Sequence, residues 1–98
     1  MERLDSKTMA LDISVNLDRV ARYMQIGSEK RVLQFLDEIE DYAIILSKRN
    51  LSPLFSKVLN NLIEKIPSFK IQKNEYGKDL IDDAYTLSRF IQNRAVVL

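Results

Sequence analysis

Ten consecutive residues, Asp37 to Leu46, read DEIEDYAIIL: four carboxylates within five positions, then a nearly unbroken apolar stretch. Acids at such spacing can serve general acid–base catalysis or hold an oxygen-liking cation. They can equally be the wet side of a helix whose other side is core. A second acidic group lies at Asp79, Asp82 and Asp83. Two things separate chemistry from surface here: what else the chain contains, and which way each acid points.

The sequence holds neither cysteine nor histidine. Disulfides, zinc fingers, iron–sulfur clusters and thiol nucleophiles are therefore excluded. So is any catalysis that needs an imidazole as general base or metal ligand. Carboxylates, Lys, Tyr and Ser remain, a donor set that suits magnesium or manganese if it suits any metal. No cofactor is implied.

Fifteen basic and 14 acidic residues leave a formal charge of +1. A protein that grips duplex DNA through its phosphates carries a clearer excess. The 98 residues are 46% hydrophobic and 30% charged, which is globular usage and enough chain for one core. Two Gly and two Pro are too few for a turn-rich β fold, so a helical domain spanning residues 1–98 is expected. The longest apolar run, YAIIL, is too short to cross a bilayer, and MERLDSK lacks the apolar core of a secretory signal. A cytoplasmic location is expected.

Four helices position the acids. Ala10, Ile13, Leu17, Val20 and Met24 recur at helical spacing over residues 6–26, with Asp5 or Ser6 as cap and Gly27 just past the end. Val32, Leu36, Ile39, Ala43 and Leu46 form the stripe of a second helix over 28–49. Ser52-Pro53 opens a third, with Phe55, Val58, Leu59, Leu62, Ile63 and Ile66 as a broad apolar face, and Pro67 is expected to end it at Ile66. A fourth spans 75–95 with Leu80, Ala84, Leu87 and Ile91. Short connections predict an all-α, antiparallel four-helix bundle.

With the second helix's stripe at 0° and about 100° per residue, Asp37, Glu38 and Asp41 fall at roughly 140–240°, pointing to solvent. Glu40 falls at roughly 80°, inside an apolar arc that runs from Tyr42 through the stripe to Leu33 and Ile44 and covers about 200°. Such an arc is wider than two bundle neighbours need, so either this helix is the most enclosed of the four or its Leu33/Ile44 edge is covered by another subunit or partner. Glu40 is therefore expected to pair with Arg19, Arg22 or Lys57 or with a cation across an interface between subunits, or to ligate a metal cation. On the fourth helix Arg94 lies close to the stripe, and its expected mate is an acid such as Asp83 within the chain or, second, a partner's carboxylate.

The pattern Glu38-x-x-Asp41 before an apolar run resembles one half of the acidic signature of the all-α nucleotide pyrophosphohydrolases. That resemblance implies a magnesium- or manganese-dependent hydrolase. The other half, a Glu-x-x-Glu on an earlier helix, has no counterpart: the first helix offers Asp12 and Asp18, six apart.

One segment is locally basic. Lys65, Lys70, Lys73 and Lys78 are interleaved with Phe69 and Tyr76, a pattern suited to single-stranded nucleic acid. The alternative is a solvated connector with Phe69 tucked onto the bundle. Met9, Val15, Tyr23, Phe90 and Val97 fall off the main stripes, and the sequence closes on AVVL. More apolar surface is thus expected than one bundle hides. The function expected first is a non-catalytic interaction module, a homodimer or a subunit of a larger assembly, meeting its partner through Leu33, Glu40, Ile44, Val96, Val97 and Leu98. An accessory nucleic-acid binder comes second, and a cation-dependent hydrolase third. No membrane partner is expected.

Overall fold

The chain's punctuation sets its helices. In the computed structural model, which describes residues 5–71 and 76–98 (Val97 by its backbone only), α1 runs Ser6–Ile26. The Asp5 side chain accepts a hydrogen bond from the Thr8 N–H at 2.7 Å and caps it. Gly27 stops it at φ 83°, a left-handed conformation that a side chain would strain. α2 runs Glu29–Ser47, two residues short of the expected end, with Lys48 as its C-cap. The Ser52 hydroxyl accepts from the Phe55 N–H at 3.2 Å and opens α3, Pro53–Ile71. α4 runs Lys78–Arg94 and tightens into a 3-10 turn, Ala95–Val97. Among the described residues there are four helices and no strand, as expected of a four-helix bundle.

α3 corrects the expected stop at Ile66: it passes through Pro67 and gains more than a turn. An interior proline costs a helix about 3 kcal/mol. The turn beyond Pro67 is anchored from outside the helix. Phe69 is fully enclosed, and the Lys70 ammonium lies 3.1 Å from Asp37 and 3.2 Å from Glu40 on α2. Burying a phenylalanine contributes about 1.5–3 kcal/mol, so two anchors beyond the proline offset its local cost.

α1 packs broadly on α2 and on α4, and α3 closes the ring more sparsely against both. The outer seam between α1 and α2 therefore lies on the opposite side of the bundle from the seam between α3 and α4. With two close neighbours, α1 is the most enclosed helix, a place that the width of its apolar arc suggests for α2. The buried arc of α1 includes Met9, which corrects the expectation that Met9 lies outside the core. Small residues let α1 approach α4. Ser14 and Ser88 meet hydroxyl to hydroxyl at 3.1 Å, and the Ser88 hydroxyl lies 2.9 Å from the Ser14 carbonyl oxygen, which accepts from it. The radius of gyration is 12.9 Å, close to the roughly 13 Å expected for a compact chain of this length.

Candidate interaction surfaces

Glu40 has a partner, but none of the expected three. Lys70 reaches it because α3 continues past Pro67, and the same ammonium holds Asp37. Glu40 is not deeply buried: its side chain is 44% exposed. Partial burial alone would lower the Lys70 pKa, yet the hydrogen bonds and charges of Asp37 and Glu40 outweigh it and hold the pKa above its ordinary value. Around Glu40, Leu33 is half-buried and Ile44 is 46% exposed. Ile45 beside it is 42% exposed. At the other end Val96 stands 70% exposed, while Leu98 packs against the core and its carbonyl oxygen accepts from the Ser52 N–H at 2.6 Å. The Val97 side chain lies outside the described residues.

The basic segment is taken up largely by the bundle itself. Lys65 pairs with Asp83 at 2.9 Å, Lys70 with Asp37 and Glu40, and Phe69 is core rather than a stacking platform. Asp83 is thus held by Lys65 and not by Arg94, its expected mate. Tyr76 is half-buried, and its hydroxyl finds no hydrogen-bond partner among the described residues. Burial, and then the charge of Glu29, push that phenol's pKa upward. Lys78 is exposed, and Lys73 lies outside the described residues.

Three of the acids do come together, though not as a metal centre. Asp12 of α1 joins Glu38 and Asp41 of α2 along an open crevice of about 360 Å³ on the α1–α2 seam, with Val15, Asn16, Arg19 and Tyr42 completing its walls. Arg19 is tied down within it. Its guanidinium donates to Asn16 Oδ1 at 3.1 Å and lies 5.4 Å from the Phe35 ring centroid, and that ring stacks on Tyr23 at 5.7 Å. Among the described residues no three carboxylates converge closely enough to hold a cation.

On the opposite seam a groove of about 230 Å³ opens between α3 and α4, lined by Leu54, Lys57, Val58, Asn61, Phe90 and Arg94. Leu54 is 55% and Phe90 50% exposed. Among the described residues, Lys57 and Arg94 form no ion pair. The sequence pattern marks Phe90 as off its stripe but does not show the groove. Its signal is the i, i+4 pair Leu54 and Val58 beside the core stripe, legible as a groove wall only once α4 is set against it.

No helix of the described residues is long and apolar enough to cross a membrane. Compared with known proteins, the chain matches no family model, no curated protein and no solved structure.

Proposed function

We propose that this chain is a non-catalytic, cytoplasmic interaction module that works by docking, either onto itself or as a subunit of a larger assembly. The observation that carries the reading is Ile44, 46% exposed on α2 although the bundle encloses a full core without it; Ile45, 42% exposed, stands about 100° further round the same helix. Large aliphatic side chains left in water on a flank beside a full core suit a protein contact. Leu33 lies along the same flank as Ile44, and Val96 adds apolar surface elsewhere.

The engagement of Lys65 and Lys70 by carboxylates, and of Phe69 by the core, favours a protein partner over a nucleic acid. The acids Asp37 and Glu40 serve the bundle as partners of Lys70, which leaves a simpler role for the DEIED run than chemistry.

The test is co-purification of the tagged protein from its native cell, wild type beside Ile44→Asp. The wild type is expected to bring down a stoichiometric protein held through the Ile44 flank. Ile44→Asp, with unchanged helix content and melting, is expected to lose it. Recovery of the wild type as a lone monomer, or unfolding of Ile44→Asp, counts against the proposal.

A further inference from the structure

We infer that the occupant of the α3–α4 groove is the α1–α2 seam of a second copy of this chain, so that the protein associates head to tail. The inference rests on the interaction-module reading and adds a second copy as a partner, met through faces other than the one that carries Ile44.

The α1–α2 crevice and the α3–α4 groove are complementary in charge; further along the α3–α4 seam, Asp83 is already paired with Lys65. On the α1–α2 seam Asp12, Glu38 and Asp41 face a single cation, Arg19, whose guanidinium is already engaged by Asn16 and Phe35. On the α3–α4 groove Lys57 and Arg94 stand with no acid among the lining residues. Each also carries apolar surface: Val15, 47% exposed, with Tyr42 on the acidic side; Leu54 and Phe90 on the basic side. An exposed aromatic beside an arginine is the composition of an interface anchor. One chain thus displays both halves of a matched pair.

Geometry prevents a chain from using them on itself. The seams lie on opposite sides of the ring of helices, with the bundle between them. Contact between different patches on identical chains is heterologous, and it propagates into a ring or an open string rather than stopping at a two-fold dimer. The net charge of +1 leaves little long-range repulsion between copies, so local complementarity decides the encounter.

Light scattering on three proteins tests this: the wild type, Val15→Lys and Phe90→Lys. Both positions are about half exposed, so folding should persist, and circular dichroism checks it. Wild-type mass is expected to grow with concentration beyond two chains. It is also expected to fall when ionic strength rises from about 0.1 M to about 1 M, as the screening length shrinks from roughly 10 Å to 3 Å. Each variant alone is expected to associate at least about tenfold more weakly, having lost one face. An equimolar mixture is expected to form a two-chain complex and stop there. The first variant retains the basic groove and the second the acidic seam, so one intact pair of faces remains between them.

A wild type that stays monomeric to about 1 mM removes the second copy as occupant, and a different partner recovered by co-purification would still uphold the interaction module. A variant that keeps wild-type association, or a mixture that does not pair, overturns the assignment of faces even if self-association is real. If Phe90→Lys loses helix content, Arg94→Glu reads the same face without removing an apolar side chain.

Discussion

Lys70 ties two helices together at one ammonium. It sits past the proline on α3 and holds Asp37 and Glu40, one turn apart on α2. Its side chain is 30% exposed, so solvent screens both pairs, and replacing it with Met is expected to cost about 1 kcal/mol or less. The sign with pH comes from a folded pKa held above the ordinary 10.5. The contribution is fully present below that ordinary value and is lost as pH rises through the raised one. The stability difference between wild type and Lys70→Met, from denaturant midpoints, should therefore be flat from about pH 7 to 9 and shrink above about 10.5. A difference that grows with alkalinity contradicts the assignment. Residue types and spacing place Glu40 beside the core and demand a cation near it, but they point to Arg19, Arg22 or Lys57. The true partner is hidden from the sequence pattern because Pro67 predicts that α3 ends before reaching it.

At the scale of the helix, the apolar stripes are legible from period alone. Val32 through Leu46 and Ala10 through Met24 fall inside the core as their spacing requires, with Gly27 in the left-handed turn between them. The end of α3 is not legible that way, because Pro67 acts locally and its helix is held from a distance by Phe69 and Lys70. Replacing Pro67 with Ala restores a helical N–H and removes a ring clash worth about 3 kcal/mol, while the looser unfolded chain takes back about 0.4–1 kcal/mol. A net gain of about 2 kcal/mol is expected, seen as a higher urea midpoint at unchanged slope. A lower midpoint means that the exposed ring is itself part of the packing. The grooves are illegible for a different reason. Each is made by two helices whose patterns are independent: Leu54 and Val58 gain meaning only beside Phe90, and Asp12 only beside Asp41.

Across the whole molecule, a ring of four helices with α1 at its best-packed corner leaves apolar side chains on more than one side. Ile44 and Ile45 stand out from α2, Leu54 and Phe90 from the α3–α4 groove, and Val96 from the last turn. Of the acidic residues that first suggest chemistry, Asp37, Glu40 and Asp83 pair with lysines, Glu38 and Asp41 line an open crevice, and Asp79 and Asp82 stand exposed on α4. We propose that another protein surface covers this apolar area. It is tested most directly by a photo-activated cross-linking side chain placed at position 44 or position 90 of the full chain in its native cell, with exposed Lys30 as the control position. A discrete covalent protein adduct from 44 or 90, of a mass that names a second copy or another chain, is the expected result. No adduct at either position above the level seen at Lys30 contradicts the account.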